Sequence, residues 1–363
     1  MWLMLAALYT GLDAPLSVEQ VDPLPPGPRD VVVRILASGV CHSDLLVTKG
    51  AVGFVAPPSV LGHEGAGVVE EVGSHVEGLR PGDTVIGSVI LTCGQCFYCH
   101  AGEPNLCHEA LNAGRVPRVV RADGAKAAAG WGLGTFAEAM TVDERSLVKV
   151  VTDLPYEQLA LIGCSVSTGV GAVLNTARVP AGATVAVLGC GGVGMAVVQG
   201  ARLAGALRII AIDPVADKRA YVLSAGATDA VDPADGDVVE QVRELTVGMG
   251  VDFAFEAVGL PATITQSFDM IRRGGTAVII GQAAADATVT FPAQALRSGS
   301  RSIVGCGYGS VQPRRDFQRF VDFAAAGRLD LGSLISHRIP MREINNAFAS
   351  LERGGEIRRT VIV

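Results

Sequence analysis

Four cysteines, Cys93, Cys96, Cys99 and Cys107, fall in a C-x2-C-x2-C-x7-C run. This spacing lets a short loop wrap its sulfurs around one tetrahedral ion. Four thiolates leave no open coordination position, so the predicted site is structural zinc. The ion would contribute binding free energy to a lobe at 91–108 with little core of its own. An iron-sulfur cluster is the rival, but ferredoxin-type runs use other spacings and place proline after the last cysteine, where this chain has His108. Disulfides are the other alternative. Eight cysteines in a long chain without a secretion signal favour ligation, because cytosolic thiols are kept reduced.

A second set is scattered. Gly39-Val40-Cys41-His42-Ser43-Asp44 and Gly62-His63-Glu64-Gly65 place a thiol, an imidazole and carboxylates in turn-rich sequence, and Cys164 stands in Gly163-Cys164-Ser165-Val166-Ser167-Thr168-Gly169. Singly, each signal is weak, since a lone cysteine is commonly a small buried hydrophobe and a lone histidine a satisfied core residue. Together they supply two thiolates and an imidazole, a three-ligand set that leaves a fourth position for water or substrate.

Gly189-Cys190-Gly191-Gly192-Val193-Gly194 follows the apolar run Thr184 to Leu188 and opens a helical stretch, the context that makes G-x-G-x-x-G credible as a dinucleotide turn. Gly189 would permit the tight turn, Gly191 the approach of the pyrophosphate and Gly194 close helix–strand packing, with the helix N-terminus facing the phosphates. Asp213 ends the next strand, where a carboxylate can hold both ribose hydroxyls and repel a 2'-phosphate; NAD is favoured over NADP.

These residues need two kinds of scaffold. At 363 residues the chain exceeds the length at which one core stops growing. Up to about Val150 it reads as short strands, the first within Met1 to Leu8, broken by turns at Pro23 to Pro28, Gly62 to Gly67 and Pro81-Gly82-Asp83. From about Val166 the pattern is that of βαβ units, with strands predicted at Thr184 to Leu188, Arg208 to Ile212, Val251 to Glu256 and Thr276 to Gly281. Leu111 to Gly130 reads as a surface loop. A helix near Arg314 to Ala326 and a strand at Arg359 to Val363 close the chain. An apolar fraction of 49 % with 18 % charged residues describes a folded protein. A net charge of -7 without basic clusters speaks against nucleic acid or an anionic membrane as partner. With no window of ~18 unbroken apolar residues, the expectation is a soluble, cytoplasmic protein.

Taken in order, these motifs resemble the zinc-containing medium-chain alcohol dehydrogenases over essentially the whole chain. The resemblance implies an α/β fold, a Rossmann-type doubly wound parallel sheet plus a GroES-like β-barrel catalytic domain. Residues 1–165 and 303–363 would form the catalytic domain and 166–302 the NAD-binding domain. It implies that Cys41, His63 and Cys164 bind a catalytic zinc, with Glu64 beside it and Asp44 orienting His63. Ser43 would take the alcohol proton, His42 and Arg359 would lie against the pyrophosphate, Lys218 would join Asp213 at the ribose, and Thr168 and Val193 would press on the nicotinamide, with Gly192 in the turn itself. Cys190 and Cys306 would be buried spectators. Two zinc ions, NAD, a small alcohol or aldehyde substrate and a homodimer or homotetramer are expected. Leu46 stands where many members carry a proton-relaying histidine, and Val89 and Trp131 fall where the family lines its substrate channel. The first activity expected is reversible alcohol oxidation; the second is oxidation of a hydroxymethyl-thiol adduct, as in formaldehyde-detoxifying relatives. A zinc hydrolase or lyase, and a noncatalytic NADH-binding protein, are the readings from other classes.

Overall fold

The computed structural model describes residues 3–110, 114–354 and 359–362. The chain divides into two compact units, Met1–Ser165 with Gln312–Gly327 and Ile335–Val363, and Val166–Val311 with Arg328–Leu334.

The first unit is built on two sheets. Met4–Tyr9, Ser17–Pro23, Pro117–Arg121, Lys126–Ala129 and Ser59–Val60 close into a barrel in that order. Side-chain alternation along Met4–Tyr9 serves two cores at once. Met4, Ala6 and Leu8 pack with Val21, Val60 and Val119, while Ala7 and Tyr9 join Leu45, Val47 and Phe136. The second sheet runs Leu147–Lys149, Thr84–Gly87, Glu64–Val72, Asp30–Gly39, Arg359–Ile362, Ile335–Ile339, with Ala139–Asp143 also paired to Asp30–Gly39. The long central strand matters most for the site, because its antiparallel register sets Gly39 opposite Glu64 and then delivers the chain to Cys41 and the helix His42–Thr48.

The second unit holds a six-stranded parallel sheet in the order Asp229–Val231, Arg208–Ile212, Thr184–Leu188, Val251–Glu256, Ile271–Ile279, Ser302–Gly305. Strand order reverses between Arg208–Ile212 and Val251–Glu256 on either side of Thr184–Leu188, which makes this a doubly wound Rossmann-type sheet with its switch point at the end of Thr184–Leu188. Ala186 and Leu188 pack with Ile210, Ile212, Ala254 and Phe268 on one face.

Several expectations change. Residues 117–129 of the stretch expected as a loop form a β-hairpin of the barrel, and 111–113 lie outside the described residues. The turn at Arg121 to Ala125 and the alternation of buried Val119 and Ala127 with more exposed neighbours build it, a pattern hidden by small and basic residues. Within the expected turn Gly62 to Gly67, residues 64–67 begin the strand Glu64–Val72. Gly67 is required there because a Cβ would fall 2.0 Å from Arg34 O on the neighbouring strand, so the glycine marks close backbone approach and not a turn. The boundary at 302/303 also shifts. Ser302–Gly305 pairs with Ile271–Ile279, and the second unit reclaims Arg328–Leu334, where the Gln199 amide clasps Asp330. The strand expected at Thr276 to Gly281 is Ile271–Ile279, and the terminal strand is described as Arg359–Ile362. Among the described residues one helix, Tyr156–Thr176, is long and apolar enough to cross a membrane, and 72 % of its most apolar window is buried inside the protein, as in a core helix.

Candidate metal centres and nucleotide-binding turn

Three segments of the first unit converge on one point. Cys41 sits in extended backbone just before the helix His42–Thr48, Glu64 opens its strand directly after His63, and Cys164 lies in a π-type turn, Ile162–Val166, of the helix Tyr156–Thr176. Widened turns of this kind interrupt regular helices at functional sites. The ligand atoms of Cys41, His63, Glu64 and Cys164 all lie within 4.8 Å of one another. His63 Nδ1 is 3.1 Å from Asp44 Oδ1, and both residues are buried. With Nδ1 donating to the carboxylate, Nε2 is the imidazole atom left for a cation. The same Asp44 Oδ1 accepts from the backbone N–H of Gly62 at 3.2 Å and from Trp131 Nε1 at 3.1 Å.

The electrostatics point the same way. Burial works against a charged imidazole, but the Asp44 carboxylate and the Cys41 thiol outweigh it and hold the His63 pKa well above its usual value. The pocket thus draws positive charge to the place where a metal would sit. Two sulfurs and one imidazole nitrogen are the donor set of a borderline-soft divalent ion, so the residues fit zinc.

Around this centre, Ser43 Oγ lies 3.6 Å from Cys41 Sγ. His42 is exposed, Leu46 packs against the core beneath the helix, and Val89 packs against the core of the second sheet. The Trp131 ring lies 4.8 Å from the His63 ring, tilted by 44°, and meets the Phe54 ring in a T-shaped contact at 5.0 Å and 85°. Sequence reasoning missed Phe54 and the Trp131 hydrogen bond, since neither lies in a motif.

The four-cysteine lobe is assembled in the same unit. Cys93 Sγ and Cys99 Sγ are 3.9 Å apart and Cys96 Sγ and Cys107 Sγ 4.0 Å, all four sulfurs lying within 4.8 Å of each other. A tetrahedral ion with metal–sulfur bonds of ~2.3 Å needs sulfur–sulfur edges of about 3.8 Å. One ion fits these distances, whereas a cluster of several irons would spread the sulfurs apart. Backbone N–H groups of Cys99 and His108 bring the Cys96 thiol down to about 6, while burial pushes Cys99 up to about 12. Without a cation the sulfurs do not ionise alike. No disulfide joins any of the eight cysteines among the described residues.

The glycine turn lies in the second unit. Gly189 adopts φ +89° as it leaves the strand, Gly191 caps the helix Gly192–Ala204, and a Cβ on Gly191 would meet nothing within 4 Å. A Cβ on Gly194 would fall 1.8 Å from Gly189 O, so only glycine lets the helix pack this close to the strand end. Asp213 is buried; its Oδ2 accepts from Cys190 N at 2.8 Å and its Oδ1 from Val215 N at 2.9 Å. It therefore braces the glycine turn, a role not foreseen. Glu256, also not foreseen, ends the adjacent strand and accepts from Val258 N, Gly259 N and Thr263 Oγ1. Thr168, Gly192, Val193 and Lys218 are half-buried, and Gly169 lies against Val193 O. The Arg359 side chain lies outside the described residues. Burial raises the thiol pKa of Cys190, to about 12, and that of Cys306.

Two family models match the chain, the alcohol dehydrogenase GroES-like domain over residues 27–153 and the zinc-binding dehydrogenase domain over 192–326. Among curated relatives, the S-(hydroxymethyl)glutathione dehydrogenase of Photobacterium damsela subsp. piscicida is 39 % identical over 98 % of each chain. That of Saccharomyces cerevisiae is 37 % identical over 99 % of this chain and 95 % of its own. Among solved structures, benzyl alcohol dehydrogenase from Acinetobacter calcoaceticus superposes with a TM-score of 0.93 at 29 % identity, covering 100 % of this chain and 99 % of that one. A zinc-binding dehydrogenase from Sinorhizobium meliloti 1021, solved with NADP, gives 0.85 at 30 % identity with 100 % of both chains covered.

Proposed function

Because the chain belongs to the zinc-containing alcohol dehydrogenases, we propose that it oxidises a hydroxymethyl group reversibly, with zinc held by Cys41, His63 and Cys164 and a nicotinamide dinucleotide as hydride partner. The observation that carries this is the convergence of the three donors, from segments far apart in sequence, on an imidazole already oriented by Asp44. Zinc held by these residues would supply the charge that lowers the pKa of a neighbouring hydroxyl, and a bound nicotinamide dinucleotide would supply the hydride acceptor.

The protein's own residues do the rest. Asp44 holds the His63 ring in one tautomer and direction. Ser43, beside Cys41, takes the hydroxyl proton. With Leu46 apolar and Asp44 buried against His63, the exposed proton acceptor on that helix is His42, at its first turn. Glu64 keeps a carboxylate beside the ligand atoms. In the second unit, the N-terminus of Gly192–Ala204 offers its amides to the pyrophosphate, and Thr168 and Val193 line the nicotinamide. Asp213 and Lys218 take the adenosine ribose; the Asp213 charge disfavours a 2'-phosphate, so NAD is the cofactor we assign, although the Sinorhizobium relative was solved with NADP. The lobe Cys93, Cys96, Cys99 and Cys107 holds a second, structural zinc. We infer a homodimer or homotetramer, supported by the open edge that Ser302–Gly305 leaves on the parallel sheet; light scattering tests this.

For the substrate, the names of the curated relatives support an S-(hydroxymethyl) thiol adduct ahead of a simple alcohol, reversing the order of the sequence-based expectation. Aromatic primary alcohols are the second reading, favoured by the Phe54–Trp131 pair beside His63. NADH formation from formaldehyde with and without glutathione, set beside benzyl alcohol, decides between them. The adduct reading expects turnover of formaldehyde only when glutathione is present and loss of that turnover with a chelator. Glutathione-independent oxidation of benzyl alcohol alone would overturn it in favour of the second.

A further inference from the structure

We propose that Trp131 is a positioning residue for the metal centre: its indole N–H pins the Asp44 carboxylate onto His63 while its ring braces the imidazole it helps to aim. The proposal rests on the reading of Cys41, His63 and Cys164 as a zinc site.

Three features carry it. Hydrogen bonding to Asp44 is concentrated on one oxygen: Oδ1 accepts from Gly62 N, His63 Nδ1 and Trp131 Nε1, while the buried Oδ2 accepts none among the described residues. Trp131 and His63 are thus the two side chains that fix the rotation of this carboxylate. The Trp131 ring lies 4.8 Å from the His63 ring and is itself wedged by Phe54 at 5.0 Å, so one side chain restrains both members of the Asp44–His63 pair. Finally, Trp131 adopts φ +58°, ψ 11°, a left-handed conformation that L side chains rarely take. The turn that imposes it is closed by Leu133 N and Gly134 N donating to Gly130 O at 3.1 Å, and a Cβ on Gly130 would fall 2.9 Å from Val60 O. An unusual backbone conformation held by surrounding structure at a site is the kind that serves positioning.

The test is zinc release from the holoenzyme into excess chelator, read with a metal-sensitive dye, for wild type, W131F, D44N and the double variant. W131F keeps a ring against His63 and removes the donor. Release from one of the two zinc sites should be about 10-fold faster in W131F than in wild type, within the range found for outer-shell partners of ligating histidines. In the D44N background the same change should have little further effect, because Trp131 acts through Asp44. Equal release in W131F and wild type, or an equal acceleration in both backgrounds, overturns the proposal. If W131F does not fold, a W2F protein carrying a 15N-labelled indole, in which Trp131 is the single remaining tryptophan, gives the answer. An indole proton shifted downfield and slow to exchange with water supports the hydrogen bond; a free, rapidly exchanging one overturns it. A wild type whose Cys164→Ser variant loses no zinc would instead refute the metal reading itself, a separate failure.

Discussion

Gly39→Ala probes how closely the fold is built around the metal centre. Gly39 is the register partner of Glu64 at the end of the long central strand, and a Cβ there would lie 2.2 Å from Glu64 Oε2 and 3.0 Å from Glu64 Cβ and Cδ. Glu64 is fully buried, so its carboxylate has no solvent to swing into and must move within the ligand cluster. Overpacking of this kind costs about 1–3 kcal/mol. At roughly 2–4 °C per kcal/mol for a unit of this size, the melting temperature should fall by roughly 2–12 °C. Displacing a carboxylate that lies within 4.8 Å of the candidate metal ligands should also lower kcat/KM about 10- to 100-fold. Calorimetry and initial rates of NADH formation read the two effects. Gly11→Ala is the control, because a Cβ on Gly11 meets nothing within 4 Å. A Gly39→Ala protein with wild-type melting and wild-type kcat/KM, or a Gly11→Ala protein equally impaired, would refute the reasoning.

Cys107→Ser should remove one zinc per chain, lower the melting temperature and expose the lobe at 91–108 to limited proteolysis; unchanged metal content and digestion pattern would count against a structural ion. Asp213→Gly should reduce the preference for NAD over NADP about 10-fold while weakening both, since Cys190 N also loses its acceptor; an unchanged ratio would remove Asp213 from the ribose. At Asp252, burial pushes the carboxyl up, but the Thr184 backbone and hydroxyl donors and Arg272 outweigh it and hold the pKa below 3.8. A folded pKa below the unfolded one adds stability that is present above about pH 4 and lost as pH falls through the folded value. Asp252→Asn should therefore melt earlier than wild type at neutral pH, with the gap narrowing as the pH falls below about 4; a gap that does not narrow under acid contradicts this assignment.

The parallel sheet was legible because buried strands read as unbroken apolar runs: Thr184–Leu188, Arg208–Ile212 and Val251–Glu256 coincide with the expected segments. The four-cysteine lobe was equally plain, since its ligands are local and one loop brings them together. Cys41, His63 and Cys164 are different. Nothing local says that a thiol in a widened helical turn meets an imidazole at the head of a strand; residue type could only group them as a possible donor set, and the family resemblance assigned them to one ion. The hairpin at 117–129 was missed because small and basic residues mask its alternation. Gly62 to Gly67 was misjudged because a glycine needed for close strand approach looks, in sequence, like one needed for a turn. The family likeness set Trp131 at the substrate channel, but its bond to Asp44 had no signal in the sequence: that contact depends on a positive φ and on a carboxylate from a distant helix, both products of the tertiary fold.

Zinc content by mass spectrometry tests the central claim most directly. The account predicts two zinc ions per chain in the wild type, and one in Cys164→Ser together with loss of NADH formation and retention of NADH binding. Two zinc ions and undiminished turnover in Cys164→Ser would contradict it.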